Sequence, residues 1–195
     1  MLHKIDQSVF KSRRDKISSQ IGTAGILVLS SAKEYLRSVD WSYPYRQSSD
    51  FYYLTGLVEP DAVAVLVPKR AEGEFIIFSN PRDPEKELWE GIMVGQERAC
   101  SDYGDNKAFP IDEMDTIMPE LFANRNQVFF DIGRDRDFDI KVINWVNILK
   151  GKIRAGIHAP VELIDLKKTL HEMRMHKDEV EVALMKKSAI IAVAA

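Results

Sequence analysis

The sequence predicts an α/β domain built on a mixed β-sheet flanked by helices. Three observations carry that prediction. Short apolar runs bounded by small or polar residues, "GILVLS" (Gly25–Ser30) and "QVFFDIG" (Gln127–Gly133), read as buried strands. Amphipathic segments alternate with such runs, the clearest being "DFDIKVINWVNILKG" (Asp137–Gly151), and that alternation places helices on the faces of a sheet. Finally, "AVAVLVP" (Ala62–Pro68) and "EFIIFS" (Glu74–Ser79) flank the polar "KRAEG". A hairpin at that point makes the sheet mixed rather than purely parallel.

The other elements follow in chain order. Residues 6–20, "DQSVFKSRRDKISSQ", read as a helix with Val9, Phe10 and Ile17 on one face. "FYYLTG" (Phe51–Gly56) reads as a strand ending at a glycine. "RDPEKELWEG" reads as a short helix opened by Asp83–Pro84 and closed by Gly91. In "IDEMDTIMPELFAN" the helical spacing is interrupted by Pro119. Within Asp137–Gly151 the expected inner face is Ile140, Ile143, Trp145 or Val146, and Leu149. "KIRAGIHAP" (Lys152–Pro160) is the candidate last strand. The remaining stretch, "LIDLKKTLHEMRMHKDEVEVALMKKSAIIAVAA", reads as two helical segments meeting near His176–Lys177. The second finishes on "AIIAVAA" with no polar stop, an apolar surface that needs something to pack against. The expectation is a polypeptide cut short inside a helix.

Composition narrows the function classes. With 195 residues, 45% of them hydrophobic and 29% charged, the chain has the balance of one globular domain and perhaps the start of another. A net charge of −3 gives no electrostatic case for binding nucleic acid or an anionic membrane. The first residues lack the apolar core of a signal peptide, and no apolar run approaches the roughly 20 residues of a membrane span. Cys100 is the single cysteine, which excludes an internal disulfide and a four-cysteine zinc site and suggests a reducing, cytoplasmic location.

Candidate chemistry is thin. "HEMRMH" invites a metalloprotease reading, but His171 and His176 are five apart, roughly 140° around a helix, and do not share a face. The acidic "SDYGDNKAFPIDEMD" lacks the ligand spacing of a calcium loop. Neither a Gly-x-Ser-x-Gly elbow nor a Walker-type loop occurs. The residues by themselves spell out no catalytic constellation. The densest cluster is "DWSYPYRQSSDFYYLTG" (Asp40–Gly56), where Pro44 between two tyrosines fixes an extended entry. Arg46 there can pair with a carboxylate such as Asp50 or stack on a tyrosine. Such a cluster can knit a loop to a sheet or wall a cleft, and residue types leave both readings open.

The run "YPYRQSSDFYYLTG" followed by "EPDAVAVLV" resembles the N-terminal domain of bacterial Xaa-Pro aminopeptidases (aminopeptidase P). "RDPEKELWEG", then "VGQE", then "LIDLKKTLHEMRMHKDEVEVALM" continue the likeness in the family's order, so it spans essentially the whole chain. The resemblance implies a creatinase N-terminal-like domain over residues 1–174, with 175–195 as the truncated first helix of a "pita-bread" catalytic domain. It implies a metal-dependent peptidase whose two divalent ions, usually manganese, are held by that second domain. No metal ligand or catalytic residue is then expected in this chain, and alone it is expected to be inactive.

Three substrate-cleft residues follow from the resemblance: Asp40, Trp89 and Arg154. Tyr43, Arg46, Gln47, Ser49 and Asp50 are expected to form a structural network. The implied partners are peptides with proline in the second position and further copies of the chain, with no nucleic acid and no membrane. Two alternatives remain: an inert protein-interaction module on the same scaffold, and a prolidase-type dipeptidase.

Overall fold

The computed structural model describes residues 5–104 and 107–194. The chain opens with helix α1 (Gln7–Ile21), whose N-cap Asp6 accepts from the Ser8 amide, followed by strand β1 (Gly25–Ser30). A small two-stranded ribbon, β2 (Leu36–Ser38) and β3 (Trp41–Ser42), precedes helix α2 (Ser49–Thr55). Strands β4 (Val63–Leu66) and β5 (Phe75–Ser79) form the expected hairpin. Helices α3 (Pro84–Glu90) and α4 (Gly95–Tyr103) lead to β6 (Lys107–Pro110). Then come α5 (Met114–Phe122), β7 (Gln127–Phe130), α6 (Arg136–Lys150), β8 (Glu162–Asp165), α7 (Lys167–Met175) and α8 (Glu179–Ala194).

Six strands make one sheet in the order β6-β5-β4-β1-β7-β8. β4 runs antiparallel to both β1 and β5, while the β1–β7, β7–β8 and β5–β6 pairs are parallel, so the sheet is mixed. Its two faces are separate cores, because successive strand side chains point to opposite sides. Leu27, Leu29, Ala64, Leu66 and Ile77 meet α1, α2, α4 and α7 on one face. Ile26, Val28, Val63, Val65, Ile76 and Phe78 meet α5 and α6 on the other. Three layers result.

Three expectations from the sequence are corrected. "FYYLTG" is a helix, not a strand. Ser48 caps it by accepting from the Phe51 amide, Asp50 lies in its first turn, and Gly56 ends it in the left-handed conformation at φ 72°. Those terminal signals, with Phe51, Tyr53 and Leu54 packing into the core, outweigh the strand preference of tyrosine and phenylalanine. "KIRAGIHAP" is also no strand: it holds a single 3₁₀ turn, Ile153–Ala155, closed by left-handed Gly156, and the last strand is β8. In α6 the inner face is Val142, Trp145, Val146 and Leu149, whereas Ile140 and Ile143 stay partly in solvent. The helix is rotated so that the Trp145 indole fills the layer, edge-on to Phe122 and Phe138, and donates from Nε1 to Asp115.

Strand direction also fixes what lies at each end of the sheet. The segments after β1 and β5 carry the β2–β3 ribbon and α3 at one end. The turn after α6 lies at the other, beside the start of β7 and β8, where the Asn124 amide donates to the His158 carbonyl at 2.9 Å and the His158 amide donates to the Asn124 side-chain Oδ1 at 3.0 Å.

Candidate functional site

The Asp40–Gly56 stretch returns from the β2–β3 ribbon to the sheet, and its polar side chains fasten it there. Gln47 is buried at the junction. Its Oε1 accepts from the Ala32 and Ser48 amides at 2.7 and 2.8 Å, and its Nε2 donates to the Glu59 carbonyl at 2.8 Å. The Tyr45 hydroxyl donates toward the Ala32 and Glu59 carbonyls, each at 3.1 Å, and burial pushes its pKa up to about 12. Thus Glu59, in the loop leading to β4, is tied to the aromatic stretch through its backbone carbonyl.

Arg46 does not pair with Asp50. Its guanidinium donates to the Gln47 carbonyl at 3.2 Å and to Ser49 Oγ at 3.5 Å. Asp50 instead accepts from Arg174 of α7, with His171 Nε2 3.8 Å from its other oxygen. The "HEMR" stretch is therefore joined to the "YPYRQSSD" stretch across the molecule. Tyr43 stands partly exposed on the ribbon, its amide donating to the Tyr35 carbonyl at 2.9 Å.

Asp40 lies in the exposed turn between β2 and β3, beside Val39, which is 98% exposed. Trp89 is 90% exposed on α3, flanked by exposed Leu88 and Ile92. The short helix that presents it is closed by hydrogen bonds at both ends. Asp83 caps its start, Arg82 holds Glu87 through two 2.7 Å bonds, and Glu87 accepts from the Met93 amide at 3.1 Å. Arg154 is exposed in the 3₁₀ turn after α6. Asp40 and Trp89 thus sit toward one end of the sheet and Arg154 at the opposite end, so one copy of this domain does not bring all three to a single cleft.

Sequence reasoning missed the residues that anchor this frame. Arg13 and Arg14 of α1 are buried, and donate to the Tyr53 and Leu54 carbonyls at the end of α2 at 3.2 and 2.9 Å. Their guanidinium groups lie over the rings of Tyr53 and Phe75, about 4 Å from each centroid. An "RR" pair inside a helix ordinarily reads as solvated surface, and nothing in the local pattern marks it as core. His171 lies within α7 and His176 at its end. Among the described residues no three His, Cys, Asp or Glu side chains come together in a group that could hold a metal ion. Nor is any helix of the described chain long and apolar enough to cross a membrane.

Fold and site define a mixed α/β domain whose polar network ties loops to a sheet. Comparison with known proteins supplies the family. The chain belongs to the aminopeptidase P N-terminal domain family, which matches residues 10–129. It is 30% identical over 191 residues to the Xaa-Pro aminopeptidase of Escherichia coli (strain K12), covering 97% of this chain and 43% of that protein. The Haemophilus influenzae Xaa-Pro aminopeptidase is 31% identical over 188 residues, covering 96% and 41%. Among solved structures, aminopeptidase PepP of Pseudomonas aeruginosa superposes with a TM-score of 0.90 at 41% identity, over 93% of this chain and 41% of that one. The chain spans about two fifths of the length of the curated relatives it matches.

Proposed function

We propose that this chain is the non-catalytic N-terminal part of a metal-dependent Xaa-Pro aminopeptidase, which removes the first residue of peptides with proline second. The observation that carries the reading is the lopsided match: nearly all of this chain, but only about two fifths of each relative. In this reading residues 1–174 are the accessory domain and 175–195 begin the catalytic one. The two divalent ions, manganese by the family resemblance, belong to residues outside this chain, and the whole enzyme works in the cytoplasm.

The domain's role is to shape the substrate cleft and to make contacts between copies. The exposed Trp89 indole, carried on a closed helix, suits a flat apolar wall for a proline ring. Asp40 suits an ammonium or guanidinium group, and Arg154 a carbonyl or carboxylate. Because Arg154 lies at the far end of the sheet, it serves a cleft shared between copies or domains rather than the one beside Asp40.

The test has two arms. The 195-residue chain, incubated with Mn²⁺ and Xaa-Pro peptides, is expected to release no N-terminal residue; turnover by the purified chain would overturn the reading. In the full-length enzyme, Trp89→Ala is expected to lower kcat/KM at least tenfold with an unchanged melting temperature. Lost stability with intact kinetics would make Trp89 a structural residue instead.

A further inference from the structure

Residues 80–95 leave the sheet after β5 and return to it at α4 as an arm whose tip is apolar and in water, with Leu88, Trp89 and Ile92 all exposed. None of the described α3 side chains lies in either core, so packing does not set the direction of that tip. Polar contacts set it instead. At the base, Gln96 Nε2 donates to the Ser79 carbonyl at 3.0 Å and brings the two ends together, as in other compact surface loops. Gly95, at φ 61°, leaves the room that the Arg82 stem fills: a Cβ there would stand 2.6 Å from Arg82 Cγ.

Farther out, Arg82 Nε and Nη2 each donate to one oxygen of Glu87 at 2.7 Å, and Glu87 Oε1 also accepts from the Met93 amide at 3.1 Å. Arg82 precedes α3, Glu87 lies within it and Met93 follows it. One carboxylate therefore joins the entering chain, the helix and the returning chain. The Arg82 guanidinium, with help from the Met93 amide, holds the Glu87 carboxyl below the usual range, so the pair is charged at neutral pH. An ion pair this near the surface adds little to global stability, but a two-pronged one fixes direction. Trp89 stands two residues beyond Glu87, roughly 200° around the helix, so the face that holds Glu87 inward turns the indole outward.

We propose that Arg82 and Glu87 are positioning residues for Trp89: with the Met93 amide they set the angle at which the indole meets the proline ring of a substrate. The inference rests on the reading of Trp89 as a wall of the substrate cleft. It adds that the wall is aimed by a salt bridge that touches no substrate itself.

The test is a double-mutant cycle in the full-length enzyme, with kcat and KM read separately. Alanine is the best helix former, so Glu87→Ala removes the clamp without weakening α3 by propensity. It is expected to raise KM about fivefold and leave kcat within about twofold, because a wall touches the ring in ground and transition states alike. Arg82→Lys keeps the charge but loses the fork, and a smaller rise in KM is expected. In a Trp89→Ala background, Glu87→Ala should change nothing further. Parental kinetics in Glu87→Ala, or losses that add to those of Trp89→Ala, overturn the proposal. Should Trp89→Ala itself leave the kinetics intact, the cleft reading fails and takes the substrate role of the clamp with it. The clamp is then decided on the 195-residue chain. There, hydrogen exchange at the Met93 amide should quicken about tenfold in Glu87→Ala at an unchanged melting temperature. An unchanged exchange rate would show that the clamp does not hold the arm.

Discussion

Helices α7 and α8 are consecutive pieces of one stretch of chain, yet they belong to the fold in opposite ways. α7 is held by tertiary packing: Leu170 and Met173, with Leu166 just before it, are buried in the core beneath α1 and α2, and Arg174 meets Asp50. α8 buries no residue along its 16 positions. Its ties lie just before and within its first turn. There Asp178 accepts from the Glu181 amide at 2.8 Å, Glu181 accepts from the Asp178 amide at 3.2 Å, and Arg13 reaches Asp178 at 2.6 Å. This reciprocal cap, with alanine, methionine, lysine and glutamate in the helix, makes α8 helical by local means. Being a helix and being packed into a core are separate properties, and the two segments separate them within thirty residues.

Core deletion is expected to divide the two most sharply. Leu170→Ala removes a fully buried side chain and leaves a void, at a loss of about 3 kcal/mol in a urea or thermal melt. Ile190→Ala removes similar bulk from a side chain that is 70% exposed, and global stability is expected to stay within about 0.5 kcal/mol. Equal losses would mean that α8 is packed in solution and that the contrast is wrong.

The link between the helices and the rest should give an intermediate effect. Arg13→Met keeps the apolar stem but removes the bond to the Tyr53 carbonyl and the ion pair with Asp178. Asp178 is 38% exposed at its side chain and stays solvated, so the expected loss is about 1–2 kcal/mol rather than that of a fully buried pair. Hydrogen exchange should quicken across the start of α8 while α7 stays protected. Uniform quickening would make Arg13 a general core residue instead of a link.

How far the sequence announces this arrangement depends on whether the signal is local. Strands β1, β4, β5 and β7 are legible because each is an apolar run between polar or small residues. The break between α7 and α8 is legible from the polar His176–Lys177–Asp178 interruption. The phase of α6 is not, since Ile140 and Ile143 are as apolar as Val142 and Val146, and only packing against α5 selects one face. The site shows the same limit. Gln47 and Asp50 stand in a conspicuous motif, but their partners, the backbone at 32 and 59 and the guanidinium of Arg174, are up to 124 positions away in sequence. Arg13 and Glu59 carry long-range roles in ordinary surroundings, which is why neither is visible before the fold is.

The smallest expected effect is also the most specific to the boundary. Burial opposes ionisation of Asp178, but the amide of Glu181 and the guanidinium of Arg13 outweigh it and hold its pKa below the ordinary aspartate value. A carboxyl depressed in the folded state contributes stability above its unfolded pKa of about 3.9, and that contribution vanishes as pH falls through the lower folded value. The tie at the start of α8 should therefore be intact above about pH 5 and released only in strong acid, with an effect below about 1 kcal/mol because the group is partly solvated. The Glu181 amide, which donates to Asp178, reports this directly in an NMR titration, and Asp178→Asn should flatten its curve. A midpoint at or above the ordinary value would show that Arg13 does not hold Asp178 in solution. α8 would then keep only the longer Arg13–Glu181 contact of 3.6 Å to the rest of the fold, and the contrast with α7 would be wider than the structure draws it.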